Sequence, residues 1–270
     1  RLFNLDEFNI GDYSLYNEQN IIFAFNSVFK CLNVDKKNKK VILEFIREAT
    51  WNPLLYLTKD NKKLFGILED GFKFLTEEQR RQVLIARVRN KDAKYIYGLY
   101  NLRELEIFDD AEPKTDIGVL TGHFANLKKL QCLTIVGNNM GNKDCGSLSD
   151  GLKFLKELKI LNLSFNCLTD DNISRITFSS NNKIEVLNLK SNSGTEISME
   201  IFKNELMKLK QLKELNMLDN QLGDQGLKLL LQVFTTVMNL CILNLSNCNT
   251  TNAGITIFAE FFKSNEKFLN

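Results

Sequence analysis

A lone histidine, six cysteines and two pairs of adjacent aspartates are the groups in this chain whose types suggest chemistry. His123 is the only histidine, so any Ser–His or Cys–His nucleophile pair has to use it. General acid–base work by an imidazole needs a partner within hydrogen-bond reach, and Thr121-Gly-His-Phe-Ala carries no signature for one. His123 therefore reads as a surface or satisfied histidine on the first repeat's outer helix. The cysteines, at 31, 132, 145, 167, 241 and 248, have no metal-knuckle spacing. Asp109 and Asp110 adjoin, as do Asp170 and Asp171, but neighbouring carboxylates on turns usually face water, and calcium-loop spacing is absent. No glycine-rich phosphate loop or dinucleotide fingerprint occurs. These groups point to no catalytic residue, metal, cofactor or small-molecule substrate, and so to a protein that is not an enzyme.

What positions side chains in this sequence is a repeat. Leu105, Leu133, Leu161, Leu187, Leu215 and Leu243 stand 28, 28, 26, 28 and 28 residues apart. Each has an apolar residue three places before and another two places after, and usually Asn five places after. The frame reads Leu158-Lys-Ile-Leu161-Asn-Leu163-Ser-Phe-Asn166 and Leu212-Lys-Glu-Leu215-Asn-Met217-Leu-Asp-Asn220. Alternation across Leu161 and Leu163 predicts a short strand with one buried face. Turn residues follow, such as Asn220-Gln-Leu222-Gly-Asp224-Gln-Gly226, and then Leu227, Leu230, Leu231 and Phe234 at helical spacing. One strand and one helix bury too little to stand alone, so the units must stack. Stacking predicts an apolar ladder of Ile107, Ile135, Leu163, Leu189, Met217 and Leu245. It also predicts a polar ladder of Asp110, Asn138, Asn166, Asn192, Asn220 and Cys248 at the strand ends.

The frame Leu-x-x-Leu-x-Leu-x-x-Asn-x-Leu, continuing to Gly-Asp-x-Gly-Leu in the fifth copy, resembles the leucine-rich repeat family. Its long period and helical second half are similar to the ribonuclease-inhibitor-like subfamily. The resemblance covers roughly residues 99–269. It implies an α/β leucine-rich-repeat solenoid, with a parallel strand stack on the concave face, helices on the convex face, and work done by binding.

The composition is ordinary for a folded soluble protein. The chain is 44% apolar and 25% charged, with a net charge of +2, too near neutral to suggest a polyanion. No apolar run reaches the ~18 residues of a membrane span, and Arg1-Leu-Phe-Asn-Leu is not a secretory leader. That many thiols favour a reducing, intracellular setting such as the cytoplasm, with a Cys132–Cys167 pairing left open. Arg1 is not an initiator methionine, and Phe268-Leu269-Asn270 reads as half a strand of a truncated last repeat, so the chain is expected to be a segment of a longer protein.

Residues 1–37 read as degenerate repeats or, alternatively, as part of a plain helical domain, 38–98 as a helical flank or insertion, and 99–270 as the array with its last repeat truncated. In the flank, Val41, Leu43, Phe45 and Ile46 begin a helical pattern that Trp51-Asn-Pro53 breaks. Leu64 to Leu68 continue it, and the capping box Thr76-Glu-Glu-Gln79 starts a helix whose inner side carries Val83, Leu84 and Val88. Lys36, Lys37, Lys39 and Lys40 cluster, as do Arg80, Arg81, Arg87 and Arg89. Interleaved carboxylates and the lack of a nucleic-acid motif favour solvated faces over phosphate binding.

If the strands line a concave face, partner-binding positions follow by column. The residues between the strand leucines are Glu106, Thr134, Asn162, Asn188, Asn216 and Asn244. Two further on stand Phe108, Val136, Ser164, Lys190, Leu218 and Ser246, with Phe165 beside them. An amide ribbon flanked by apolar and aromatic anchors suits a protein partner. The expected function is a non-enzymatic interaction or scaffold module within a larger assembly. The alternatives are the ligand-sensing region of a nucleotide-binding leucine-rich-repeat receptor and a GTPase-activating leucine-rich-repeat protein.

Overall fold

Three-residue strands are not stable on their own, so the leucines of this chain form strands only because neighbours in register complete them. A computed structural model describes residues 2–4, 27–35, 40–48, 55–57, 64–68, 77–89, 96–108, 117–179, 183–237 and 239–264. Near the N-terminus, β1 (Leu2–Asn4), β2 (Ser27–Asp35) and β3 (Lys40–Glu48) form a three-stranded sheet in the order β1-β3-β2, with both pairings antiparallel. The second sheet has nine strands, from β4 (Leu55–Leu57) at one edge to β12 (Ile242–Asn244) at the other. Its strands β5 (Leu64–Leu68), β6 (Val83–Arg89), β7 (Glu104–Phe108) and β8 (Cys132–Val136) are followed by β9 (Ile160–Asn162), β10 (Val186–Asn188) and β11 (Glu214–Asn216). Every pairing from β5 to β12 is parallel, and β4 pairs antiparallel with β5.

Register follows the leucine frame. Leu105 pairs with Leu133, Leu133 with Leu161, Leu161 with Leu187, Leu187 with Leu215, and Leu215 with Leu243. The first five of these are buried to within 1% of full burial, as are Ile107, Ile135, Leu163 and Leu189. Each such side chain supplies about 1.5–3 kcal/mol of transfer free energy. Leu243 and Leu245 are only partly buried, because among the described residues no strand lies outside β12. One core cluster runs from Val83 to Cys248, so the stack has a single continuous interior.

Helices complete the other layer: α2 (Ile117–Thr121), α3 (Asn142–Leu152), α4 (Asp170–Ile173), α5 (Glu196–Leu206), α6 (Gly223–Phe234) and α7 (Asn252–Ser264). On α6, Leu227, Leu230, Leu231 and Phe234 are buried, as their helical spacing requires. Close packing between helices has its own requirement at Gly151. A Cβ there would lie 2.7 Å from the Phe124 ring, so only glycine lets α3 approach that closely.

The helical reading of 38–98 is corrected. The described elements of that region are strands β3 to β6, with one short helix, α1 (Glu77–Gln82). Val41, Leu43 and Phe45 also satisfy period two, and a short run rich in β-branched and aromatic residues does not separate strand from helix by periodicity alone. Val83 and Val88 are buried as expected, but on strand β6 rather than on a helix, and Leu84 is half-buried. Val83-x-x-Ala86-x-Val88 is in fact another copy of the frame. Ala86 pairs with Leu105 and Val88 with Ile107, so the parallel stack begins before residue 99. Trp51, Thr76, Lys36, Lys37, Lys39, Asp109, Asp110 and Phe268 to Asn270 lie outside the described residues.

Candidate functional site

At the end of each strand the chain must leave the sheet without stranding its polar backbone groups. The asparagine ladder does this. Asn166 Nδ2 donates to Ile135 O in the preceding repeat at 2.6 Å and to Leu163 O in its own at 2.9 Å, while its Oδ1 accepts from Asn138 N at 2.8 Å. Asn192 repeats the pattern on Leu163 O and Leu189 O, and accepts from Asn166 N and Leu168 N. Asn220 donates to Leu189 O and Met217 O. In the last repeat Cys248 Sγ takes the same place and donates to Met217 O at 3.0 Å. All four residues are buried. The architecture is a leucine-rich-repeat solenoid.

No family model matches the sequence. A stretch of 105 residues, 38% of this chain, is 32% identical to mouse "NACHT, LRR and PYD domains-containing protein 14", and covers 11% of that protein's length. Among solved structures, an internalin from Listeria monocytogenes is similar at 24% identity and a TM-score of 0.41, over 65% of this chain and 51% of that one. A leucine-rich-repeat protein of Leptospira interrogans is similar at 20% identity and a TM-score of 0.32, over 67% of this chain and 52% of that one.

In this solenoid the turn after each strand forces an unusual backbone. The residue just before each ladder position adopts positive φ: Gly137 (71°), Phe165 (58°), Ser191 (52°), Asp219 (57°) and Asn247 (53°). Glycine and asparagine fit this region, whereas a bulky side chain there is strained. Phe165 bears that strain and is still 49% exposed, with Lys190 Nζ 5.1 Å from its ring centre. Two residues along the same column, Asp219 accepts from Ser191 Oγ at 3.1 Å and from Asn247 Nδ2 at 2.9 Å.

The structure brings most of the expected concave positions onto one face. Asn162, Asn188, Asn216 and Asn244 are half-exposed, and each Oδ1 accepts the backbone N–H two residues on, at 3.0 to 3.1 Å. That bond ties the ribbon to the turn and leaves the Nδ2 groups with no acceptor among the described residues. Thr134, Val136, Lys190 and Leu218 are also half-exposed, and Ser246 is exposed. Ser164 is corrected: it is only 4% exposed and offers nothing to a partner. Strand β9 ends at Asn162 and the chain bends toward the left-handed Phe165, so strict alternation no longer applies at Ser164.

At the N-terminal end, Glu106 Oε1 lies 3.0 Å from Arg87 Nε, and the Arg87 guanidinium sits 4.6 Å from the Phe108 ring centre. The approach is Coulombic rather than a hydrogen bond, since Arg87 Nε has no aligned acceptor. Arg87 is therefore a concave-face residue and does not join Arg80 and Arg81 in one patch: Arg81 pairs with Glu77, and Arg80 donates to Tyr97 O. Alternation could have placed Arg87 here, had Val83-x-x-Ala86 been read as a copy of the frame. Ile160 (39% exposed) and Ile242 (55% exposed) add apolar surface one residue before the central leucines.

A third ladder, absent from the sequence reading, sews the helix starts together. Asp170 in the first turn of α4 accepts from Thr195 N (2.7 Å), Thr195 Oγ1 (2.8 Å) and Ser198 N (3.2 Å), all on the next repeat. Asp224 does the same for Thr251 N and Oγ1, at 2.8 and 2.6 Å. Burial pushes the Asp170 carboxyl up, but the bonds from Thr195 and Ser198 outweigh it and hold the group below its usual range. For Asp224 the bonds from Thr251 lead and lower it likewise.

The remaining chemistry-bearing groups are dispersed. His123 lies between α2 and the 3-10 turn Phe124–Asn126, its ring 6.2 Å from Tyr97, and partial burial lowers its pKa. Cys132 and Cys167 are both free thiols, which settles the open pairing. Burial pushes the Cys145 thiol up to about 12. No helix among the described residues is long and apolar enough to cross a membrane.

Proposed function

We propose that this chain is a non-enzymatic interaction module that holds a protein partner against the concave face of its solenoid, within a larger assembly. The observation that carries this reading is Phe165. A large aromatic held in a strained left-handed backbone and half in water costs the fold more than its contact with Lys190 returns. Aromatic anchors beside hydrogen-bonding groups are what protein interfaces concentrate, and the Nδ2 groups of Asn188 and Asn216 supply donors on the face that also carries Val136 and Leu218. The period and the helical second half of each unit support the ribonuclease-inhibitor-like subfamily. The test is affinity capture from the source cells with the wild-type chain and with Phe165→Glu/Leu218→Glu, followed by mass spectrometry. A partner retained by the first and lost by the second supports the reading; identical retained sets overturn it.

A second reading is favoured by one observation, the 32% identity over 105 residues to mouse "NACHT, LRR and PYD domains-containing protein 14". On that reading the array is the ligand-sensing part of a nucleotide-binding receptor. A nucleotide-binding domain in the same full-length gene product supports it, and a gene product without one excludes it.

A further inference from the structure

The two long edges of the solenoid treat charge differently. At the edge where strands end and helices begin, carboxylates are used internally: Asp144, Asp170, Asp219 and Asp224 each accept at least two hydrogen bonds within the fold. At the opposite edge, where helices hand over to the next strand, cations are in surplus. The backbone places this edge as one continuous surface, because Cys132 N bonds to Arg103 O, Ile160 N to Gln131 O, Val186 N to Lys159 O and Ile242 N to Lys213 O.

Some of its lysines are satisfied. Lys159 and Lys213 share Glu185 at 3.7 and 2.6 Å, Lys183 holds Glu157 at 2.8 Å, and Lys153 and Lys208 pair with acids three residues before them. Arg103, Lys128, Lys156 and Lys210 are exposed and meet no carboxylate among the described residues. Glu104 and Glu214 stand beside Leu105 and Leu215 on the concave face and form no ion pair with these cations among the described residues. Helix C-termini favour cations, which accounts for one lysine per turn but not for large exposed aromatics. Tyr100 (45% exposed) and Phe154 (53% exposed) lie on this same edge.

We propose that this edge, from Arg103 to Lys210, docks an acidic segment of a partner protein whose carboxylates meet Arg103, Lys128, Lys156 and Lys210 and whose apolar residues cover Tyr100 and Phe154. The surface is separate from the concave face and stands whether or not that face binds. A polyphosphate is the poorer fit. Glu157 and Glu185 interrupt the cations and would repel a strand of evenly spaced phosphates, whereas a peptide can place neutral residues opposite them.

The test uses the whole chain and fluorescence anisotropy of a labelled Glu/Leu repeat peptide at about 0.15 M salt. Parallel arms use a single-stranded oligonucleotide and phosphatidylserine vesicles. The wild type is expected to bind the peptide, Lys128→Glu/Lys156→Glu/Lys210→Glu to bind at least about tenfold more weakly, and Phe154→Ala to weaken a Glu/Leu peptide more than an all-Glu one. Lys228→Glu, on the exposed face of α6, should bind as wild type does. Thermal melts of each variant separate lost binding from lost folding. No peptide binding, equal binding by the folded triple variant, or tighter binding of the oligonucleotide or the vesicles overturns the proposal.

Discussion

Asn166 Nδ2 bonds to the carbonyl of Ile135, 31 residues earlier and one repeat below, at 2.6 Å. The same amide closes its own turn at Leu163 O and receives Asn138 N. One side chain thus satisfies backbone groups of two repeats that water cannot reach. Asn166→Ala is expected to cost about 3 kcal/mol, because each stranded buried group costs about 1–3 kcal/mol and the losses are not additive. Urea unfolding followed by circular dichroism checks this; a cost below about 1 kcal/mol would mean that the ladder is incidental.

Phe165→Asn should stabilise the fold by roughly 0.5 kcal/mol while removing the concave anchor. The substitution relieves about 1 kcal/mol of left-handed strain and gives up about 0.5 kcal/mol of exposed contact with Lys190. A raised melting temperature together with a lost partner is the signature. A lowered melting temperature would show that Phe165 serves the fold.

Acid should loosen the helix ladder. The Asp170 and Asp224 carboxyls titrate lower in the folded protein than in the unfolded chain. The stability they contribute is therefore complete above the unfolded value of about 3.9 and is lost as pH falls through the folded one. Melting temperatures followed from about pH 6 down to about pH 2.5 should drop less steeply for Asp170→Asn than for the wild type, from a lower starting point. Equal slopes would contradict the assignment.

Gly254 marks how closely α7 approaches α6. A Cβ built there overlaps Asp224 Oδ1, the atom that caps Thr251. Gly254→Ala should cost about 2 kcal/mol through that overlap, and Gly254→Ala in an Asp224→Ala background should cost less than the sum of the two. Additive costs would separate the glycine from the cap.

The strand register and the asparagine ladder were legible because both are periodic: a residue that recurs every 28 positions is read by comparison with its own copies. Legibility failed where the copies degrade. Ala86 stands where the later repeats have leucine, and it lies 19 residues from Leu105 rather than 28, so from sequence its strand resembles a helix face. Val41 to Phe45 satisfied two periods at once. The concave columns were readable for Asn162, Asn188, Asn216 and Asn244, since each adjoins a leucine whose burial fixes its direction. Two residues further on, the left-handed turn intervenes, and Ser164 was misassigned. The Asp170–Thr195 and Asp224–Thr251 bonds left no local trace, because each joins residues 25 to 27 positions apart whose types alone do not announce a pair.

The solenoid has an aliphatic interior with an amide ribbon on its outer, concave side, and adjacent residues test that most directly. Leu161 is fully buried, whereas Asn162 is half-exposed and holds only the Ser164 N–H within the fold. Equilibrium urea unfolding of the two alanine variants is expected to show a loss of about 2–5 kcal/mol for Leu161→Ala from the cavity it leaves, and about 1 kcal/mol for Asn162→Ala from its single turn bond. A loss at Asn162 equal to or greater than that at Leu161 would place the amide ribbon inside the protein and contradict the account.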